Sequence, residues 1–173
     1  MRYASLALLL LLPSGVIGAE YFEQSESEVY QTTGTVKEIS LKAKSCIAQI
    51  VRSGAVRIGD AATAENLEGS QLFLDVNVDS GTITANSNVD YSKALIPHNV
   101  KSTLTFLAKE DRFKIRHSNI EYVQKETGSI SNSGYSRVGK WWGSGWKDAE
   151  KALAGVSDKV AKCVQGGTKK EDW

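Results

Sequence analysis

Between residues 71 and 123 the chain alternates apolar and polar side chains through four successive stretches, the period of half-buried β-strands. Leu72, Leu74, Val76 and Val78 share one side of the first, with Phe73, Asp75 and Asn77 opposite. Asp79-Ser80-Gly81 is turn chemistry. Ile83, Ala85, Ser87, Val89 and Tyr91 then alternate with Thr84, Asn86, Asn88 and Asp90, which predicts a hairpin. Pro97 marks a loop over 92–99, and Val100 to Lys109 predicts a third strand, rich in β-branched and aromatic residues. Glu110-Asp111 turns the chain into a fourth, Arg112 to Val123. There Ile120 and Tyr122 fall out of phase with Phe113 and Ile115, so a bulge near Ser118-Asn119 is expected.

Helical periods fence these strands. Thr35-Val36-Lys37-Glu38 fits a capping box, and Ile39, Ala43, Cys46, Ile47 and Ile50 recur on one face, with Leu41 off the stripe and Ser53-Gly54 as the stop. Trp146, Ala149, Leu153, Val156, Val160 and Cys163 repeat at three-then-four spacing, ended by Gly166-Gly167. A short strand is expected over 28–33. Residues 55–70 read as a surface excursion with one short strand at Ala55 to Ile58. Residues 124–145 are dense in Gly, Ser and Asn and read as a loop, and 166–173 as a frayed charged tail.

The first nineteen residues have the pattern of an export signal: Met1-Arg2, an apolar run from Ala4 to Leu12, a break at Pro13-Ser14-Gly15, and small residues before a cut ahead of Glu20. The apolar run is too short for a stable bilayer span. Residues 20–165 then form one expected domain. Losing Arg2 leaves the exported part with equal acidic and basic side chains, 20 of each. A balanced chain has no long-range field to gather a polyanion, which disfavours nucleic acid. Cys46 and Cys163 are the two cysteines. In an oxidising compartment the pair reads as a disulfide more readily than as free thiols, a catalytic thiol being the lesser alternative.

The order strand, capped helix, four antiparallel strands, helix resembles an uncharacterised bacterial envelope family, a domain of unknown function with a TATA-box-binding-protein-like fold. The residues that carry the likeness are Thr35 to Ile50, Phe73 to Ala85 (strand, acidic turn with glycine, strand) and Leu104 to Ile115 (strand, acidic turn, Arg-aromatic-basic strand). It spans residues 28–123 and extends to the closing helix. The resemblance implies an α+β chain with a curved antiparallel sheet and two helices on one face, which would make Cys46 and Cys163 neighbours. It brings no catalytic residues. The 55–70 excursion and the Trp-rich loop have no counterpart in it.

Candidate chemistry is sparse. His98 and His117 belong to no spaced metal motif, there is no Gly-x-Ser-x-Gly elbow, and no cofactor or metal is expected. With helices on one face, Asp75, Asn77, Thr84, Asn86, Asn88 and Asp90 share the open face with Thr103, Thr105, Lys114 and Arg116. A wet face is the ordinary state of an antiparallel sheet, and it is also a surface for a protein or glycan. Trp141, Trp142 and Trp146, with Tyr135 upstream, either seal the core or anchor an interface. The reading is an exported, non-enzymatic binding or assembly module whose partner is an envelope protein or glycan. It would use the Trp loop, Tyr135, Lys114 and Arg116; the alternative is an envelope hydrolase acting on the open face or through His117.

Overall fold

The computed structural model describes residues 20–59, 65–126 and 134–166; the expected export signal and the last residues of the tail lie outside them. The elements, in chain order, are β1 (Gln24–Glu26), β2 (Tyr30–Gln31), α1 (Val36–Ile50), β3 (Val56–Ile58), β4 (Glu65–Leu67), β5 (Phe73–Asn77), β6 (Thr82–Lys93), β7 (Ile96–Lys109), β8 (Arg112–Gln124), β9 (Ser136–Arg137) and α2 (Trp146–Gly166). The fold is α+β, a curved antiparallel sheet with two helices, as expected.

Strands β5 to β8 form the expected meander, and short segments line its edges. Along the outer edge of β8, β1 pairs at Arg116–Ser118, β2 at Arg112–Phe113 and β9 at Glu121–Tyr122. Short, interrupted edge strands of this kind leave no long template for pairing with another chain. The expected strand over 28–33 is therefore two shorter ones beginning earlier. Between them the Ser27 amide donates to the Ile115 carbonyl while the Ile115 amide donates to the Ser27 hydroxyl. That side-chain bond replaces a ladder bond and leaves Val29 exposed.

Both helices lie on the same sheet face. The capping box at the start of α1 is present: the Glu38 amide donates to Thr35 Oγ1 at 3.3 Å and the Thr35 amide to Glu38 Oε2 at 2.9 Å. Ile39, Ala43, Cys46 and Ile47 from α1 meet Val156, Val160, Ala161 and Val164 from α2 over Ile83, Ala85, Leu104, Phe106, Phe113 and Ile115. A second cluster joins Leu153 and Ala149 to Phe22, Val100, Ile120 and Val138. Cys46 and Cys163 form a disulfide with Cα atoms 5.9 Å apart, joining α1 within its apolar stripe to the last position of the α2 stripe. Leu41 stands exposed, off the stripe as its position predicts.

Three sequence expectations change. Helix α1 ends at Ile50, before Ser53-Gly54, because Val51 already adopts an extended backbone. The alternation expected through Leu72 and Leu74 is broken: the register shifts between Phe73 and Asp75, so Phe73 packs toward the core and Leu74 is 55% exposed. The loop expected over 92–99 is a two-residue turn at Ala94-Leu95, both with positive φ, and strand structure continues on either side. The bulge near Ser118-Asn119 is present. Lys101 faces Glu121 and Thr103 faces Ser118, leaving one extra residue on β8 and Asn119 at φ 52°.

Pro97 sits inside β7, at a place where its missing N–H is put to use. Its carbonyl accepts from the Lys125 amide at 2.8 Å. The Lys125 carbonyl, which an ordinary residue at 97 would donate to, accepts instead from the Gly59 amide. Gly59 closes β3, so this exchange ties the small β3–β4 hairpin to the sheet. Val56 and Ile58 pack there on Val123. The hairpin is thus a flap over part of the face opposite the helices.

Candidate functional site

The open face carries the residues expected of it. Thr84, Asn86 and Asn88 on β6 alternate with buried neighbours, and so do Lys101, Thr103 and Thr105 on β7. The flap roofs this surface and creates a cleft of about 620 Å³. Its walls include Ser53, Glu68, Asn86, Asn88, Thr103 and Asn119, with Lys101, Glu121 and Tyr135 at one side. Amides and hydroxyls dominate it, and among the described residues its one ion pair is Lys101–Glu121 at 2.7 Å. Groups of this kind form directional hydrogen bonds without a strong charge preference.

Tyr135 is built into this cleft. Its hydroxyl donates to Asn99 Oδ1 at 2.7 Å and its ring lies 4.3 Å from the Lys101 ammonium. Asn99 is buried and in turn donates to Asp90 Oδ1 at 2.8 Å. Burial, helped by the Asp90 and Glu121 carboxylates, pushes the Tyr135 pKa up to about 12, so the hydroxyl remains a donor.

The tryptophans gather elsewhere, and they divide. Trp146 opens α2 half-buried, its ring 5.9 Å from that of Phe22, with the Lys140 and Lys147 ammonium groups 5.7 and 5.6 Å from the ring. Trp141 folds its ring over Gly139, where a side chain would collide with it, and stays 55% exposed. Trp142 is 98% exposed. Lys93 donates to the Gly143 carbonyl, which sets the Trp142 loop beside the β6–β7 turn. That turn presents Leu95, 95% exposed, so two large apolar side chains stand free at one end of the molecule.

Lys114 and Arg116 occupy a third place, at the β8–β1 edge. Both bind Glu26, at 2.8 and 3.0 Å, and hold its carboxyl below the usual range, the Lys114 bond contributing most. An exposed triad of this kind contributes little to stability. The six candidate residues therefore do not converge: Tyr135 belongs to the roofed cleft, the tryptophans to the end with Leu95, and Lys114 and Arg116 to the far edge.

Neither histidine is in a loop or on the open face. His98, expected beside a loop, is buried in β7 between the rings of Tyr91 and Tyr122. His117 faces α2, its Nδ1 2.9 Å from Ser102 Oγ and its Nε2 3.1 Å from Ser157 Oγ. Burial pushes its pKa down to about 4, so the ring is neutral at pH 7. Ser87, across the ladder from Ser102, buries its hydroxyl without a partner among the described residues. The serine–histidine–serine chain contains no carboxylate, and although Ser102 also borders the cleft, the His117 ring points to Ser157 of α2 on the helix side of the sheet. Among the described residues, no cluster of three or more His, Cys, Asp or Glu could hold a metal ion. None of the described helices is long and apolar enough to cross a membrane.

No protein-family model matches the chain, and neither does any curated protein. Two solved structures are similar. One is a TBP-like protein from Parabacteroides distasonis ATCC 8503, with 14% identity, a TM-score of 0.44, and 81% of this chain and 80% of that one covered. The other is a DUF4468 family protein from Bacteroides ovatus ATCC 8483, 11% identical, with a TM-score of 0.52 over 82% of this chain and 85% of that one. At that identity the likeness to the Bacteroides protein is one of fold alone.

Proposed function

We propose that this protein is an exported, non-enzymatic binding or assembly module, a single domain over 20–165 that recognises a polar partner with its open sheet face. The observation that carries the reading is the roofed cleft. Antiparallel sheets are commonly wet on one face, but this face is partly covered by a flap whose attachment depends on the Pro97–Lys125–Gly59 exchange. The result is a concave, hydrogen-bonding surface, the shape that ligand sites favour. An envelope protein or glycan suits it better than a nucleic acid, since the exported chain has no net charge. Trp142 and Leu95 supply a second contact area; exposed aromatic side chains of this size are frequent interface anchors.

The disulfide supports the export reading, because such bonds persist in oxidising compartments. No cofactor enters the proposal.

The test is affinity capture from native envelope using the wild-type chain, Thr103→Trp, which fills the cleft, and Trp142→Ala. Loss of a captured partner by either variant, with an unchanged melting temperature, is the expected result. Capture that survives both changes together would sink the reading. Trp146→Ala serves as the contrast, since its ring packs on Phe22: it should lower the melting temperature.

A further inference from the structure

Cations concentrate at one place on this charge-balanced chain. Beyond α1, Arg52 pairs with Asn88 on the free edge of β6, past the end of β5. The Asn88 amide donates to the Arg52 carbonyl at 2.7 Å, and Asn88 Nδ2 donates to the Gly54 carbonyl at 3.0 Å. The chain here rounds the sheet edge to begin the flap. It leaves a groove of about 400 Å³ between the β6 edge, the flap and α2. Arg52, Arg57, Lys125 and Lys159 line it, against one carboxylate, Asp90.

That carboxylate is already engaged. Asp90 Oδ1 accepts from Asn99 at 2.8 Å and Oδ2 from Lys125 at 3.0 Å. Arg52, Arg57 and Lys159 enter no ion pair among the described residues, while Lys101, Lys114, Arg116, Arg137 and Lys140 all do. Four cations against one anion give the groove a surplus of three positive charges. A cleft of one sign with apolar walls, here Val56, Val89 and Val156, focuses its field on whatever enters.

The backbone that carries three of these cations is held in place: at Arg52 by its bridge to β6, at Arg57 by the β3–β4 pairing, and at Lys125 by bonds to Pro97 and Gly59. By the alternation that turns the Asn86 and Asn88 amides outward, the Asp90 amide faces the same edge. Two guanidinium forks suit a multidentate oxyanion. One carboxylate would balance only one of the three uncompensated charges, whereas a phosphate carries about two and offers three acceptor oxygens.

We infer that this groove is a binding site for a phosphate-bearing ligand, gripped by Arg52 and Arg57 with Lys159 and Lys125 completing the charge. It goes beyond the recognition proposed for the open face and does not depend on it. The phosphate belongs either to a soluble phosphoester or to a lipid headgroup, and the experiment separates the two.

The chain from Glu20, which holds every described element, is titrated with pyrophosphate. It is also mixed with phosphatidylcholine vesicles with and without phosphatidic acid. Saturable binding of pyrophosphate alone supports a soluble phosphoester, and binding only to phosphatidic acid vesicles supports a headgroup. In either case Arg52→Gln and Arg57→Gln should each weaken binding about tenfold or more, and Arg57→Lys less than Arg57→Gln. Lys37→Gln, at a cation already paired with Asp79, should leave it unchanged. All these side chains are exposed, so the variants should fold, as circular dichroism will verify. Absence of binding to either probe overturns the inference. So does binding that the Arg52→Gln/Arg57→Gln double variant retains, or that Lys37→Gln weakens equally.

Discussion

His117 is a titratable ring set between two serines beneath α2, where water cannot accompany a proton. Its folded pKa, near 4, lies below the histidine value of 6.5. The unfolded chain therefore takes up this proton first as the pH falls. The neutral ring's contribution is fully present above pH 6.5, erodes below it, and is gone near pH 4, a loss of about 3 kcal/mol. Denaturant unfolding of wild type and His117→Gln across pH 4 to 7.5 should show a steeper decline for wild type over that window. Equal slopes would remove the histidine from the acid response. At this scale the sequence was a partial guide: the parity of Phe113 and Ile115 gives His117 the core face, but nothing local says which serines it meets. Trp146, by contrast, opens the apolar stripe of α2 and packs on a phenylalanine ring as that stripe implies, while nothing in the Gly-rich run marks Trp142, four residues earlier, as 98% exposed.

At the scale of elements, legibility followed how far each break in pattern showed in residue type. The β8 bulge was readable because Ile120 and Tyr122 fall on the wrong parity after Phe113 and Ile115, and apolar side chains left on the wet face demand a correction. The β5 bulge was not, because Leu72, Phe73 and Leu74 are all apolar and either phase reads the same. The Ala94-Leu95 turn lacks the glycine or asparagine that usually marks positive φ, and Pro97 drew attention to a loop that does not exist. β1, β2 and β9 are two or three residues long, too short for any period. Pro97 yields a prediction of its own. Pro97→Ala restores an N–H that competes with Gly59 for the Lys125 carbonyl. Global stability should fall by no more than about 1 kcal/mol, yet limited proteolysis within residues 55–70 should accelerate clearly. Cleavage at the wild-type rate would show that the flap does not rely on that carbonyl.

At the scale of the whole molecule, the fold rests on two helices sharing one face and tied by Cys46–Cys163. This much was legible: capped and amphipathic stripes defined the helices, and export with an isolated cysteine pair favoured the bond. The bond closes a loop of 117 residue steps, for which chain entropy gives up to about 4 to 5 kcal/mol. Cys46→Ala/Cys163→Ala should therefore fold with the same far-ultraviolet spectrum and lose up to that amount in urea unfolding. An unaltered midpoint would mean that the bond does not constrain the unfolded chain. The candidate site was legible only in part. The open face followed from alternation, but its roof did not, because 55–70 reads as a polar excursion and nothing local says that it crosses the β6 edge at Asn88. Nor does spacing along the chain reveal that Tyr135, Trp142 and Lys114 lie in three separate places.

Site-specific photo-crosslinking in the native envelope puts the open-face reading to its most direct trial. A photoreactive side chain is placed at Thr103 inside the roofed cleft, at Trp142, and at Lys44 and Lys151 on the outward helix surfaces. Discrete adducts from position 103, with none from 44 or 151, are the predicted result, and position 142 should join them where the Trp loop contributes. Adducts confined to 44 and 151, with position 103 silent, would place recognition on the helices and contradict the account.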